Sequence, residues 1–131
     1  SSDVCSSDLA LPLPVSAPFH SSLLKPASDR LRVYLEGVSF SSPVIPLINN
    51  VDVAVVTDTA AIKDALVRQA ASPVRWVETV QAMASHGVGR VIECGPGKVL
   101  SGLVKRINGE LLNDAIVDQA SMDALLETLG S

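Results

Sequence analysis

The final part of the chain alternates short apolar runs with helical repeats, and this alternation restricts the possible folds more than any other feature. Residues 90–94 predict a short buried strand, and residues 98–108 carry apolar side chains at helical spacing. Residues 114–118 and 121–129 repeat the strand and the helix. Strands separated by helices pair in parallel and need helices over their faces. The sequence therefore predicts an α/β fold with a largely parallel sheet.

Three more helices are predicted upstream of this region. They are expected at residues 21–37, 59–70 and 73–86, where apolar side chains recur every three or four positions. Ser72 has the residue type of an N-cap, and Pro73 is expected in the first helical position. These signals predict that the third helix begins directly after Ser72.

Extended segments are predicted in three other places. Residues 10–16 are expected to form an edge strand, since each proline moves the preceding residue out of the helical region. Residues 44–48 and 51–56 are rich in β-branched side chains and predict two strands. The strands are expected to meet at a turn formed by Asn49 and Asn50.

The composition excludes several functional classes. The 131 residues are 47% hydrophobic and 18% charged, which is typical of a folded domain and not of a disordered one. The net charge of −4 and the scarcity of aromatic residues argue against a nucleic-acid partner. No apolar run approaches the roughly 20 residues that a membrane span needs. The two cysteines form no metal-binding or disulfide pattern, and neither a signal peptide nor a metal site is indicated, so a cytoplasmic location is expected.

Residues 1–9 differ from the rest of the chain. They contain Ser-Ser-Asp twice, lack hydrophobic periodicity and precede a markedly apolar run. Residues 3–9 match what a common sequencing adapter encodes in one frame, so a non-native leader is the favoured interpretation. A native disordered tail is the alternative. The domain is therefore expected to comprise residues 10–131, and Cys5 is given no chemical role.

His20 is expected on a loop between the extended segment at residues 10–16 and the helix at residues 21–37. Loops at the ends of strands in α/β folds often carry reactive groups. A lone histidine near a helix start is nevertheless more often a capping or packing residue. The residue alone therefore favours a structural role.

Five short motifs change that interpretation. In chain order they are Pro-Leu-Pro-Val-Ser-Ala-Pro-Phe-His-Ser at residues 12–21, Ile-Asn-Asn-Val-Asp at 48–52, Ala-Leu-Val-Arg-Gln at 65–69, Ser-Pro-Val-Arg-Trp at 72–76 and Glu-Cys-Gly-Pro-Gly-Lys-Val-Leu at 93–100. Together they resemble the malonyl-CoA:acyl carrier protein transacylases over nearly everything from residue 10 onward. The resemblance implies the C-terminal part of the large α/β-hydrolase-like subdomain, preceded by the last strand of the small ferredoxin-like subdomain.

The resemblance also implies a catalytic role for His20. In this family a serine in a Gly-His-Ser-Xaa-Gly elbow attacks the malonyl thioester, and a histidine takes and returns its proton. His20 matches that histidine, and Gln69 matches the residue whose backbone carbonyl orients it. The chain contains no Gly-Xaa-Ser-Xaa-Gly. It therefore resembles the last two-fifths of a family member of roughly 300 residues and is expected to be inactive alone.

Three further residues are candidates for substrate binding. In related polyketide acyltransferases a Phe-His pair favours malonyl over methylmalonyl units, so Phe19 is a candidate for acyl selectivity; a hydrophobic staple or core contact is the alternative. Lys105 and Arg106 are expected on the helix at residues 98–108 and are candidates for steering an acidic carrier protein or the phosphates of CoA. The alternative is a solvated helix end whose cations offset the helix dipole.

The sequence thus predicts transfer of malonyl from CoA to the phosphopantetheine thiol of acyl carrier protein, in fatty acid biosynthesis. Malonyl-CoA and the carrier protein are the expected partners, without a metal or redox cofactor, and the full-length protein is expected to be a monomer. The acyltransferase domain of a polyketide synthase is the nearest alternative. A non-catalytic α/β interaction module, in which His20 is only structural, is the alternative from another class.

Overall fold

The computed structural model describes residues 17–130, so the predicted leader at residues 1–9 and the predicted strand at 10–16 lie outside the described residues. A short 3-10 helix at Ser22–Leu24 is followed by five α-helices and two β-strands. The helices are α1 (Lys25–Glu36), α2 (Thr59–Ala70), α3 (Trp76–Ser85), α4 (Val99–Ile107) and α5 (Gln119–Leu129). The strands are β1 (Arg90–Cys94) and β2 (Leu112–Ile116).

The two strands pair in parallel, which confirms the predicted α/β character. Arg90 lies opposite Leu112, and the register continues to Cys94 opposite Ile116. The crossover between them is α4, which packs on both strands, while α5 packs on β2. The bounds of β1 are confirmed, but β2 begins two residues earlier than predicted. The strands are mostly half-buried rather than buried, because β1 pairs with β2 alone among the described residues.

Helices α3, α4 and α5 and the two strands form one half of the described residues, which we call the sheet half. Its centre is an apolar cluster between α3, α4 and the strands. Val80 and Val104 are fully buried there and pack with Leu111. Trp76 and Val91 are among the half-buried side chains that surround them. Full burial of one valine side chain stabilises a fold by about 1.5–3 kcal/mol, so this cluster fixes α3 and α4 against the sheet.

The other half of the molecule is the pair α1 and α2. Leu35 of α1 and Ile62, Ala65 and Val67 of α2 are buried. The buried hydroxyl of Ser28 donates a hydrogen bond to the carbonyl of Val67, at 2.6 Å. The helices predicted at residues 21–37 and 59–70 are confirmed, the first as a 3-10 helix that continues into α1.

Residues 44–56 form a loop, so the two strands predicted at 44–48 and 51–56 are wrong. One antiparallel bridge joins Ile48 to Val55. Between them the side-chain oxygen of Asn49 accepts hydrogen bonds from the backbone N–H groups of Val51 and Asp52, at 3.2 and 2.7 Å. This local turn places Val51 and Asp52 at the tip of the loop, in place of the predicted turn at Asn49 and Asn50. We call residues 47–56 the asparagine loop.

The predicted start of α3 is also wrong. The helix begins at Trp76 rather than at Pro73, and Arg75 instead of Ser72 is its N-cap. The reason is a tertiary contact, since the backbone N–H of Arg75 donates to the carbonyl of Asn50, at 3.0 Å. This bond holds Arg75 against the asparagine loop, and residues 72–75 are not helical.

Candidate functional site

His20 lies in a tight turn immediately before the first helical segment. The backbone N–H of Phe19 donates to the carbonyl of Ala17 at 2.8 Å, and the hydroxyl of Ser21 donates to the carbonyl of Pro18 at 2.7 Å. These bonds give His20 a φ of 55°, in the left-handed region that non-glycine residues seldom occupy. Such strained backbone is found most often at functional positions.

The partner of His20 is the C-terminal end of α2. Nδ1 of the imidazole lies 3.0 Å from the backbone carbonyl oxygen of Gln69. Within a longer helix this carbonyl would accept from the N–H of the residue four positions on, but that residue is Pro73, which has no N–H. The end of α2 and the position of Pro73 together leave the carbonyl of Gln69 available to a side chain.

The partner also determines which imidazole nitrogen carries the proton. A carbonyl oxygen only accepts hydrogen bonds, so Nδ1 must be the protonated nitrogen of neutral His20. Nε2 then carries the lone pair, and the His20 side chain is exposed. A proton taken up at Nε2 makes the ring cationic, and Nδ1 can continue to donate to the carbonyl of Gln69. An imidazole held in this way can accept a proton at Nε2 and release it again.

The side chain of Gln69 makes a second contact that the sequence did not predict. Its Oε1 accepts a hydrogen bond from the backbone N–H of Asn50, at 3.2 Å. Asn50 in turn accepts from the N–H of Arg75 through its backbone carbonyl and from the hydroxyl of Thr79, at 3.1 Å, through its side-chain oxygen. Asn50 was predicted as a turn residue and lies in one of the five motifs, but no spacing in the sequence relates it to His20 or Gln69.

An ion-pair network ties the same end of α2 to the asparagine loop. The guanidinium of Arg68 donates to both carboxylate oxygens of Asp52 at 2.6 Å, and its Nε donates to Asp64 at 2.6 Å. These bonds hold the pKa of each carboxyl below its usual value and raise the pKa of Arg68. The groups are well exposed, so the ion pairs add little to the free energy of unfolding. Their main effect is to align the end of α2 with the asparagine loop.

The predicted substrate-binding residues lie in different parts of the molecule. Phe19 is adjacent to His20 and is 56% exposed, so a core contact for its ring is wrong within residues 17–130. Lys105 and Arg106 are exposed in the last turn of α4, in the sheet half. Neither makes an ion pair with any described residue. The structure brings His20, Gln69 and Phe19 together and places the two cations elsewhere.

The penultimate residue of β1 carries a structural carboxylate. Glu93 accepts hydrogen bonds from the backbone N–H and the hydroxyl of Ser101, at 2.8 and 3.0 Å. These bonds at the start of α4 hold the pKa of Glu93 below its usual value. Across residues 17–130 the acidic, histidine and cysteine side chains form no group that could hold a metal ion. Within the same range, each helix is too short or too polar to cross a membrane.

The apolar surface of the described residues is extensive. A cavity of about 630 Å³ opens between the asparagine loop, α3 and β1, with Ile45, Trp76 and Met83 in its wall. Ile45 is nevertheless 75% exposed, and the preceding residue, Val44, is 97% exposed. Apolar surface of this kind usually packs against further protein.

Curated relatives 40% to 52% identical to this chain are named malonyl CoA-acyl carrier protein transacylase. The chain is 52% identical to the protein from Salmonella typhimurium over 117 residues, which cover 89% of this chain and 38% of that one. It is 43% identical to the protein from Bacillus subtilis over 120 residues, which cover 92% of this chain and 38% of the relative. The chain thus spans about two-fifths of the length of the curated relatives it matches. No family model matches the chain.

Solved structures of malonyltransferases share the fold of this chain. The acyl-carrier-protein S-malonyltransferase of Burkholderia pseudomallei is 69% identical, with a TM-score of 0.84, over 90% of this chain and 38% of that structure. A malonyl-transacylase solved with its type II polyketide acyl-carrier protein is 51% identical, with a TM-score of 0.86, over the same shares of the two chains. At these identities the similarity extends to sequence as well as to fold.

Proposed function

The chain belongs to the malonyl-CoA:acyl carrier protein transacylase family, and from this premise we propose that it supplies the histidine of a serine–histidine acyltransferase. The observation that carries the proposal is the 3.0 Å contact between His20 Nδ1 and the carbonyl of Gln69, which leaves Nε2 as the basic nitrogen. The serine comes from the part of the relatives' length that this chain does not span. On this proposal the 131 residues transfer no malonyl alone.

The proposed reaction has two proton cycles at His20. In the first, Nε2 takes the serine proton while the serine oxygen attacks the malonyl thioester, and the departing CoA sulfur receives that proton. In the second, Nε2 takes the proton of the carrier thiol, whose sulfur attacks the acyl-serine ester, and the serine oxygen receives the proton back. In both cycles the carbonyl of Gln69 keeps its bond to Nδ1 and stabilises the transient imidazolium. No metal or redox cofactor is needed.

Two further features complete the proposal. Phe19 limits the space beside the α-carbon of the acyl group and so favours malonyl over methylmalonyl. Lys105 and Arg106, which are exposed and unpaired within residues 17–130, attract an acidic carrier protein or the phosphates of CoA. The location we propose is cytoplasmic, where an exposed free thiol such as that of Cys94 is ordinary.

The experiment that tests the proposal uses a hybrid enzyme. Residues 10–131 replace the matching 38% of the Burkholderia pseudomallei S-malonyltransferase, and malonyl transfer from CoA to a carrier-protein thiol is measured. His20→Ala is expected to lower kcat by about 10²- to 10⁴-fold. The control is His86→Ala, because His86 Nδ1 also lies near a backbone carbonyl, that of Ala82, at 2.7 Å. Equal rates for His20→Ala and the unmutated hybrid would contradict the proposal.

The pathway we propose is fatty acid synthesis, and one observation favours a second candidate. The relative solved with a type II polyketide carrier protein is 51% identical to this chain. The hybrid enzyme distinguishes the two candidates when a fatty-acid carrier and a polyketide carrier compete for malonyl. A higher kcat/KM for the fatty-acid carrier is expected, and the reverse order would support the polyketide pathway.

A further inference from the structure

Gln69 contacts two different partners at the end of a helix. Its backbone carbonyl lies 3.0 Å from His20 Nδ1, and its side-chain oxygen accepts from the N–H of Asn50 at 3.2 Å. The residue is the penultimate one of α2, and terminal helix turns are prone to fray. A carbonyl that orients a general base must nevertheless keep its place to within about 0.5 Å. The side-chain contact supplies the restraint that the helix end lacks.

The anchor for Gln69 is itself held by the core. Asn50 accepts one hydrogen bond from the N–H of Arg75 and another from the hydroxyl of Thr79. Thr79 is 4% exposed and is followed by Val80, which is fully buried in the cluster between α3, α4 and the sheet. A continuous series of contacts therefore runs from the core through Asn50 and Gln69 to the imidazole.

We propose that Gln69 is a positioning residue whose side chain, bonded to the N–H of Asn50, fixes the backbone carbonyl that orients His20. This inference rests on the proposed role of His20 as the general base. It explains why a residue that faces His20 only through its backbone has a long amide side chain. The Arg68–Asp52 pair joins the same two segments, but its exposure makes it the weaker restraint.

The test compares Gln69→Met, which keeps the length of the side chain and removes the acceptor, with Gln69→Glu, which keeps an acceptor. In the hybrid enzyme Gln69→Met is expected to lower kcat by about 10- to 100-fold with little change in KM, since small misplacements of a catalytic group cost this much. Gln69→Glu is expected to retain most of the activity. Gln81→Met is the matched control, since Gln81 is exposed on α3. A kcat for Gln69→Met equal to that of the control would overturn the inference.

A spectroscopic readout separates this inference from the proposed function. Imidazole ¹⁵N shifts of the 131-residue chain are expected to show the Nδ1–H tautomer for His20, and Gln69→Met is expected to shift His20 toward a mixture of tautomers. His86 is the internal reference, because its partner is the carbonyl of Ala82. An unchanged His20 tautomer in Gln69→Met would overturn the inference, whereas failure of the unmutated hybrid to transfer malonyl would overturn the proposed function alone. If Gln69→Met does not fold, Gln69→Ala replaces it. The same two results are then decisive, namely kcat relative to the control and the tautomer of His20.

Discussion

Ser28 on α1 donates a hydrogen bond from its buried hydroxyl to the backbone carbonyl of Val67 on α2, at 2.6 Å. Val67 lies two residues before Gln69, so this bond fixes α1, and with it the turn that carries His20, against the part of α2 that receives the imidazole. Buried side chains of serine seldom lack a partner, and here the partner is a carbonyl near a helix end. The bond is therefore part of the framework of the site.

The first prediction concerns this bond. Ser28→Ala leaves the carbonyl of Val67 without the hydroxyl and is expected to lower the free energy of unfolding by about 1–2 kcal/mol. Urea denaturation of the 131-residue chain measures the loss. Ser85→Ala is the control, since the exposed Ser85 bonds only within α3, and it is expected to change stability by less than about 0.5 kcal/mol. Equal losses for the two variants would show that the hydrogen bond from Ser28 to Val67 contributes nothing to the free energy of unfolding.

The second prediction concerns Pro73, which withholds an N–H from the carbonyl of Gln69. Pro73→Ala supplies that N–H and lets Ser72 enter the helical region, so a longer α2 competes with His20 for the carbonyl. A competing bond of about 0.5–1.5 kcal/mol corresponds to a fall in kcat of about 2- to 10-fold in the hybrid enzyme. Pro96→Ala, in the turn after β1, is the control.

Hydrogen exchange gives an independent check on Pro73→Ala. The new amide at position 73 is expected to be protected, since it lies within a hydrogen-bonded turn. Rapid exchange at this amide, together with unchanged kcat, would mean that α2 ends where it does for other reasons.

The sequence predicted best the elements whose signals are local. The observed bounds of α2 and β1 coincide with the predicted ranges 59–70 and 90–94. In α2 the helical spacing of apolar side chains is reinforced by Asp58, whose carboxylate accepts from the N–H of Ala61 at the N-terminus. In β1 a run of apolar residues is bounded by glycines. Neither element depends on a distant residue for its limits.

The errors came from specific hydrogen bonds, one of them between distant residues and the others within a turn. The start of α3 was predicted from Ser72 and Pro73, but the N–H of Arg75 bonds to the distant Asn50, and residues 72–75 are not helical. Two strands meeting at Asn49 and Asn50 were predicted from β-branched residues, but the side chain of Asn49 bonds the N–H groups of Val51 and Asp52 and moves the turn to those residues. Propensity is a weak preference, and specific hydrogen bonds outweigh it in both cases.

In the candidate site, too, local signals could be read from the sequence, whereas specific contacts could not. His20 and Gln69 are 49 positions apart, and only the resemblance to a known family pointed to this pair. The proline four residues after Gln69 was a local signal for a free carbonyl, although it was interpreted as a helix start. The contact between the Gln69 side chain and Asn50 has no sequence signal, since it joins a side chain to a backbone N–H.

The third prediction concerns pH. The Arg68 guanidinium holds the pKa values of Asp52 and Asp64 below their usual value in the folded state, so folding is favoured wherever these carboxyls are ionised. This contribution is complete above the unfolded-state pKa, near 4, and is lost as the pH falls through the lower folded-state values. The difference in unfolding free energy between the wild type and Arg68→Met is therefore expected to shrink below about pH 4.

The control for the pH experiment is Arg30→Met. Arg30 makes no ion pair with any residue of 17–130, so its substitution is expected to show no such acid dependence. Urea denaturation across the acidic range measures both variants. A constant difference between wild type and Arg68→Met from about pH 3 to 7 would contradict the assignment of these carboxylates to Arg68.

The fourth prediction concerns the two cations at the end of α4. The double variant Lys105→Glu and Arg106→Glu is expected to raise KM for the carrier protein by about 10-fold at low ionic strength, with little change in kcat, because reversed charge slows encounter with an acidic partner. The effect is expected to diminish as salt is added. Arg30→Glu on α1 is the control for the single variant Arg106→Glu, because both change the net charge by the same amount. Equal effects at the two positions would indicate a response to net charge and not to a docking surface.

The fifth prediction uses the fact that the chain contains two phenylalanines. Phe19 is adjacent to His20 and 56% exposed, whereas the ring of Phe40 lies under the ammonium of Lys63, 5.2 Å from its centroid. Phe19→Ala removes the ring that is proposed to exclude an α-methyl group. A pocket that discriminates by a single methyl group can give about 10-fold or more in selectivity. The preference of the hybrid enzyme for malonyl-CoA over methylmalonyl-CoA is therefore expected to fall by about 10-fold in kcat/KM. Phe40→Ala makes the same change away from the imidazole and is expected to keep the preference. If Phe19→Ala lowers kcat/KM equally for both thioesters, the ring supports the loop of His20 and does not contact the acyl group.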